Sequence, residues 1–184
     1  MTNHIDLGTV LRQTISASLY SNLVTRPTGA AVRTQIESLL EDALATGRAL
    51  TVIDFSHVSM IDFSCADEII AKLLMNYGAK GGESYFVFRG MTDDHWDAIE
   101  TVLERHGLAL VVERDDGLEL VGVLTVSERR AWDILKERGK VALADFPPDA
   151  DAESDLVRDA LEGLWRRRLI MRADDMYVPV GDLQ

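Results

Sequence analysis

The chain has 184 residues, of which 47% are hydrophobic, and its mean hydropathy is close to zero. This composition is typical of a globular protein with one mid-sized domain or two small ones. The net charge of −12 opposes non-specific binding to nucleic acid or to an anionic membrane, because both depend on lysine and arginine. A single cysteine excludes an internal disulfide. With no long apolar run and no signal-peptide pattern, we expect a cytoplasmic protein without a membrane segment.

The first 123 residues begin with three patterns. The β-leaning text of residues 8–24 predicts a strand or a strand pair. A helical stripe follows from about Thr28 and ends near Gly47. The nearly continuous apolar run 49–55 then predicts a short strand that is covered on both faces. We therefore expect a strand, a helix and a buried strand in this order.

Three further patterns complete this part of the chain. Residues 84–88 predict another buried strand, and residues 92–107 predict a helix with Thr92 at its N-cap. Two β-rich runs around Asp116-Gly117 predict a hairpin. Alternation of strands and helices indicates an α/β domain with a largely parallel or mixed sheet and packed helices, over residues 1–123.

One tetrapeptide occurs twice: Ile53-Asp54-Phe55-Ser56 returns eight residues later as residues 61–64. The first copy ends an apolar run, which predicts the end of a buried strand, with Asp54 at the exposed end or bonded to a loop. After Ser64 the apolar residues recur at three- and four-residue steps, so the second copy is predicted to open a helix. Ser64 followed by Asp67 fits a capping box, which predicts Ser64 as the N-cap.

The text from Val52 to Leu74, with the strand and helix that follow it, resembles the STAS superfamily, the fold of anti-sigma factor antagonists. It is most similar to the STAS-like variant with a Ser-Phe-Ala-Asp-Glu-type motif. The resemblance implies a turn whose second serine is phosphorylated by a partner kinase, and the matching residue is Ser64, with Asp62 as the turn aspartate. Phe63 and Cys65 replace the first serine and the glycine of that turn. The implied partners are an anti-sigma factor or an ATP-dependent serine kinase.

Charge around Ser64 predicts how a phosphate there would act. A helix N-terminus favours an anion by roughly 0.3–1 kcal/mol. Asp62, Asp67 and Glu68 are close in sequence, and a phosphate brings nearly two negative charges, so we expect repulsion to exceed the help from the helix. Such a site suits the breaking of a complex. We expect a partner-binding surface around Ser64 that consists of Asp62, Phe63, Cys65, Asp67 and Glu68; the alternative is that Ser64 is only a cap.

Residues 124–184 have a different plan. Thr125 and Glu128 form a capping box, a second amphipathic helix follows a proline pair, and a hairpin is predicted across Asp174-Asp175. Two or three helices and a β-hairpin are typical of a winged-helix-like α+β domain. Its second long helix exposes mainly acids, and its candidate DNA contacts are Arg158, Arg166, Arg167 and Arg168. We therefore expect a protein-interaction module, homodimerisation included, and keep a DNA-binding transcription regulator as the alternative.

Catalytic and metal-binding patterns are lacking in the sequence. The four histidines, His4, His57, His95 and His106, do not combine with Cys65 at ligand spacing. Cys65 is predicted to be a packed cysteine rather than a redox site. No nucleotide-binding loop or nucleophile elbow occurs. We expect a non-enzymatic regulatory protein without cofactor or metal; a small-molecule or nucleotide sensor with a pocket near Asp62 is a further alternative.

Overall fold

The structure is a computed structural model that describes residues 2–14, 22–44, 49–78, 83–147 and 151–181, with the backbone alone at 42–44. The chain divides into two compact units, Met1–Val123 and Leu124–Gln184. In the part of the chain that is described, no helix is long and apolar enough to cross a membrane.

A five-stranded sheet organises the first unit. The order is β1-β3-β5-β6-β7, and all neighbours are parallel except the antiparallel pair β6 and β7. A separate parallel pair joins β2 to β4. The strands are β1 (Thr2–Asp6), β2 (Asn22–Leu23), β3 (Ala49–Asp54), β4 (Met60–Ile61), β5 (Ser84–Arg89), β6 (Ala109–Arg114) and β7 (Gly117–Gly122).

Helices connect these strands and pack on the sheet. They are α1 (Leu7–Thr14), α2 (Arg26–Leu44), α3 (Phe63–Ala66), a π-helical turn (Asp67–Ala71), α4 (Lys72–Gly78) and α5 (Asp93–His106). The consecutive elements α3, the π-helical turn and α4 are together called the 63–78 helix. Buried side chains of these helices and of the strands form one apolar core, in which Ile53, Phe88 and Ile69 are fully buried. The expectation of an α/β unit with a mainly parallel sheet is confirmed.

The start of the chain differs from the prediction for residues 8–24. Residues 7–14 form α1, and the strand β1 precedes it. The helix buries Leu7, Val10 and Leu11, which are spaced three and four residues apart. This helical pattern is too short to be recognised among the β-branched neighbours. Asp6 accepts a hydrogen bond from the Gly8 N–H at 2.9 Å, which stabilises the first turn. The remaining predicted strand residues up to 21, and the predicted stop at Gly47, lie outside the described residues.

The predicted hairpin is confirmed, with a turn one residue earlier than the sequence suggested. Arg114 pairs with Gly117, so Asp115 and Asp116 form the turn and Gly117 follows it with φ 115°. This left-handed φ is one that glycine adopts without strain.

In its described residues, the second unit contains two longer helices and a small antiparallel sheet of order β8-β10-β9. Its elements are α6 (Val126–Arg138), β8 (Val141–Ala142), a short 3-10 helix (Leu143–Asp145), α7 (Ala152–Arg166), β9 (Ile170–Ala173) and β10 (Met176–Pro179). The capping box of Thr125 and Glu128 and the hairpin at 174–175 are confirmed. The apolar stripe of α7 would place Leu156 inward, but Leu156 is 57% exposed and Val157 is the first buried residue of the helix.

Candidate functional site

The first copy of the repeat closes a strand. Asp54 is the last residue of β3, Phe55 is fully buried, and Ser56 lies exposed in the following turn. The Asp54 carboxylate accepts hydrogen bonds from the Ser56 N–H at 2.8 Å and from Arg89 Nε at 2.9 Å. Burial acts to raise the pKa of Asp54, but the hydrogen bonds from Ser56 and Arg89 outweigh it and lower the pKa. The prediction that Asp54 lies at the strand end and bonds to a loop is confirmed.

The second copy opens a helix, as predicted, but the cap is Asp62. Its backbone is extended, at φ −87° and ψ 165°, and its Oδ1 accepts a hydrogen bond from the Cys65 N–H at 2.8 Å. Ser64 is the second residue of α3, and its hydroxyl donates to the same Asp62 Oδ1 at 2.8 Å. The prediction of Ser64 as N-cap is therefore wrong, because the carboxylate two residues earlier takes the helix N–H.

Not all of the predicted surface residues are exposed. Cys65 is fully buried and Glu68 is 3% exposed, so these two side chains lie beneath the surface. Asp62, Phe63, Ser64 and Asp67 are half-buried. Ser64 thus keeps contact with solvent while its hydroxyl is held by Asp62.

A distant segment completes the turn. Asp62 Oδ2 accepts a hydrogen bond from the Thr25 N–H at 2.8 Å, and the Asp62 N–H donates to the Leu23 carbonyl at 2.9 Å. The Cys65 thiol donates to the Thr25 carbonyl at 3.0 Å. Thr25 is exposed and has φ 74°, an uncommon conformation for a β-branched residue. The turn therefore holds Thr25 in a strained backbone conformation immediately before α2.

The start of α2 lies directly against the 63–78 helix. A Cβ atom added at Gly29 would be 2.9 Å from Cys65 Cα and 3.0 Å from Glu68 Cβ. These distances are shorter than those of ordinary contacts, and one neighbour is backbone. Glycine at position 29 is therefore what lets the two helices approach each other.

Cations surround the acidic residues of the 63–78 helix. Arg26 Nη1 lies 3.0 Å from Asp67 Oδ2 and 2.7 Å from Glu68 Oε1. Glu68 also pairs with Lys72 at 2.5 Å and with Arg33 at 3.5 Å. These cations partly neutralise the negative charge that the sequence predicted around Ser64, and two of the three lie on α2.

Asp67 has a second side-chain partner. His106 Nε2, at the end of α5, lies 2.7 Å from Asp67 Oδ1. Burial acts to raise the pKa of Asp67, but the bonds from His106 and Arg26 outweigh it and lower the pKa. Among the described residues, Asp62 differs from Asp67 and Glu68 in having no ion-pair partner; its pKa is lowered despite burial by the N–H groups of Thr25 and Cys65 and by Ser64.

We use the name Ser64 surface for Thr25, Arg26, Asp62, Phe63, Ser64 and Asp67. Arg105 of α5 flanks it, with its guanidinium carbon 5.5 Å from the centre of the Phe63 ring. Four residues of this region were missed in the sequence because each lies about 40 residues from Ser64 along the chain. They are Thr25, Arg26, Arg105 and His106. Lys72 lies four residues after Glu68 on a predicted helix, so this ion pair could have been inferred from the sequence.

The thiol of Cys65 has low reactivity. Burial raises the pKa of this thiol to about 12, and Asp62 adds to the shift. The nucleophilic form of cysteine is the thiolate, which this raised pKa disfavours. The prediction of a packed cysteine is confirmed.

His95 has a structural place in the core. Its Nδ1 accepts a hydrogen bond from the Thr92 N–H at 3.1 Å, and its Nε2 lies 3.0 Å from the Val58 carbonyl. Because neutral imidazole has one N–H, Nε2 is the donor to Val58. The ring is fully buried and ties the residues after β3 to α5. No described group of three or more Cys, His, Asp and Glu side chains is placed to hold a metal ion.

The candidate DNA contacts in the second unit all contact groups within that unit. Arg158 Nη1 donates to the Phe146 carbonyl at 3.1 Å, and Arg167 pairs with Glu128 at 2.9 Å. Arg166 pairs with Glu162 at 3.1 Å, with 73% of its side chain exposed. Arg168 lies over the Trp165 ring, 5.7 Å from its centre.

Comparison with known proteins gave no relative: no family model matches the chain, and no curated protein or solved structure matches it. Function is therefore inferred from the contacts above and from the sequence resemblance.

Proposed function

We propose that the chain is a non-enzymatic regulatory protein that binds partner proteins through the Ser64 surface. In this proposal residues 1–123 form a STAS-like domain and residues 124–184 form a winged-helix-like domain. The observation that carries it is the second copy of the repeat. There a strand passes into a helix, and the half-buried Ser64 hydroxyl donates to Asp62, which has no ion-pair partner among the described residues. The sequence resemblance implies an anti-sigma factor or an ATP-dependent serine kinase as partner.

Phosphorylation of Ser64 would change this surface. A phosphate on Oγ removes the proton that Ser64 donates to Asp62 and brings about −1.5 to −2 charges next to that carboxylate. At this distance like charges repel strongly, and the described structure offers Asp62 no cation to offset the repulsion. The two states of Ser64 therefore present different charge and different local order to a partner.

For the second unit we propose a role in protein contact, homodimerisation included. DNA recognition requires free arginine and lysine side chains near the start of a recognition helix. The first turn of α7 instead carries Glu153 and Asp155, and the four candidate arginines contact groups of their own unit. We therefore favour the protein-interaction module over the DNA-binding alternative.

A quantitative capture experiment tests the proposal. Tagged wild-type chain, Ser64→Ala, Ser64→Asp and Ser56→Asp are expressed in the native cell, and the proteins that copurify are compared by mass spectrometry. We expect a specific partner with wild type, Ser64→Ala and Ser56→Asp, and at least a tenfold loss with Ser64→Asp. Ser56 is a matched control because it ends the same tetrapeptide in the other copy. Equal recovery with all four chains would refute the proposal.

A further inference from the structure

The start of α2 is tied to the helix that carries Ser64 by a cation that could change partners. Arg26 contacts Asp67 and Glu68, yet its side chain is 52% exposed. Glu68 keeps Lys72 and Arg33 if Arg26 leaves, and Asp67 keeps His106. The departure of Arg26 therefore leaves neither Asp67 nor Glu68 without a partner, and Arg26 has the most exposed side chain of these partners.

Ser64 and Asp67 lie on the same side of the 63–78 helix. They are three residues apart, which places their side chains next to each other along a helix. Arg26 Nη1 already reaches Asp67 Oδ2 at 3.0 Å. Its neighbour Thr25 is joined through Asp62 to the Ser64 hydroxyl by two hydrogen bonds of 2.8 Å each. The guanidinium thus contacts the residue that lies one helical turn after Ser64.

We infer that Arg26 reads the phosphorylation state of Ser64: it pairs with Asp67 and Glu68 when the serine is unmodified, and it moves to the phosphate when the serine is phosphorylated. A phosphate attracts it more than a carboxylate does, because a guanidinium forms paired charge-assisted hydrogen bonds with a nearly dianionic group. This inference rests on the proposed function, in which Ser64 is the regulated residue. It adds the start of α2 to the part of the molecule that the modification rearranges.

The modification itself is a phosphoryl transfer from a nucleoside triphosphate that a partner kinase supplies. A bond forms between Ser64 Oγ and the γ-phosphorus as the bridging phosphorus–oxygen bond breaks, and a nucleoside diphosphate leaves. The hydroxyl proton departs along the hydrogen bond to Asp62 Oδ1 and passes to solvent. Repulsion between phosphate and Asp62 then weakens the Asp62 contact with the Thr25 N–H, which gives Arg26 the freedom to move.

The test uses full-length chain made with phosphoserine at position 64, so that no kinase is needed. A ³¹P NMR titration measures the second pKa of the phosphate in this chain and in Arg26→Gln, Arg26→Lys and Arg105→Gln. Arg105→Gln is the matched control, because it removes one positive charge beside Phe63. The other titratable groups around Ser64, which are Asp62, Asp67, Glu68 and His106, have the same identity in all four chains.

We expect Arg26→Gln to raise the second pKa of the phosphate by roughly 0.5, because the dianion loses its cation. Arg26→Lys, which keeps the charge, is expected to raise it less, and it replaces Arg26→Gln if that variant does not fold. Arg105→Gln should have less than half the effect. No change with the Arg26 variants, or equal changes with Arg26→Gln and Arg105→Gln, would overturn the inference.

The two proposals can fail separately. Since the phosphate is installed chemically, the titration reports the Arg26 contact whether or not a partner exists. If the phosphate pKa depends on Arg26 but recovery of the partner is the same for all Ser64 variants, only the proposed function is refuted. If recovery of the partner depends on Ser64 but the phosphate pKa is the same for all Arg26 variants, only the inference is refuted.

Discussion

Asp62 stabilises the turn that opens α3 more than Ser64 does. Its carboxylate accepts the N–H groups of Cys65 and Thr25, whereas the Ser64 hydroxyl makes one side-chain hydrogen bond to Asp62. We predict that Asp62→Ala lowers the free energy of unfolding by about 1–2 kcal/mol, as is typical for loss of an N-cap. Ser64→Ala should cost less than about 1 kcal/mol.

Urea unfolding of the two variants measures this difference. Asn at position 62 is a useful control, since it can still cap a helix and should retain most of the stability. A larger loss with Ser64→Ala than with Asp62→Ala would show that the serine is the cap after all.

His95 makes the stability of the first unit depend on pH. Burial lowers the pKa of His95 from its ordinary value of 6.5, although the Val58 carbonyl and Asp94 act in the opposite direction. The folded chain therefore binds a proton less readily than the unfolded chain. The stabilisation is complete above pH 6.5 and is lost as the pH falls below that value, by up to about 1.4 kcal/mol per pH unit.

Unfolding of wild type and His95→Asn between pH 7.5 and about 5 tests this prediction. The variant is expected to be less stable at neutral pH. Its free energy of unfolding should lack the decrease with falling pH that His95 causes in wild type. Carboxylates with lowered pKa values act in a more acidic range, so they do not mask the effect. Parallel curves for the two chains would contradict the prediction.

Gly29 sets the distance between two helices. An alanine Cβ there would meet Cys65 Cα at 2.9 Å and Glu68 Cβ at 3.0 Å, so α2 and the 63–78 helix would have to separate. We predict that Gly29→Ala lowers the free energy of unfolding by roughly 1–3 kcal/mol, as overpacking commonly does.

Gly78→Ala is the matched control in this comparison. A Cβ at Gly78 has no heavy atom within 4 Å, and this glycine is also helical. Thermal unfolding should show little change or a small gain for Gly78→Ala. A Gly29→Ala chain as stable as wild type would mean that the helices do not pack as closely as described.

Local signals predicted the helices that begin and end with clear caps. Thr92 precedes α5 and Gly107 follows it with φ 64°, while Thr125 and Glu128 open α6. Helix α1 was not predicted, because eight residues offer little more than two turns of periodicity. The cap at Asp62 was not predicted either, since Ser64 and Asp67 matched the same local rule.

The candidate site shows why sequence separation limits prediction. Ser64, Asp62 and Phe63 could be named from one strand–turn–helix pattern. Thr25 and Arg26 reach the same surface only because β2 pairs with β4, at Asn22 with Met60 and Leu23 with Ile61. A two-residue strand leaves no usable pattern in the sequence. The charge of the site was misjudged for the same reason, since its cations come mostly from α2.

At the scale of the whole molecule, charge opposes binding to nucleic acid. The net charge is −12, and the four arginines considered for DNA contact are engaged within the second unit. We predict no retarded band in a gel shift with mixed-sequence duplex DNA at about 0.15 M salt. A salt-sensitive band that disappears on charge reversal of Arg158 and Arg166 to Arg168 would instead favour the transcription-regulator alternative.

The central claim is that Ser64, and not its counterpart in the first copy, is the regulated serine. Mass spectrometry of the protein isolated from its native cell, under several growth conditions, measures the phosphorylated fraction at each of the two serines. We predict a substantial, condition-dependent phosphorylated fraction at Ser64 and essentially none at Ser56. Phosphate that is absent from Ser64 under every condition, or that is equally abundant at both serines, would contradict this prediction.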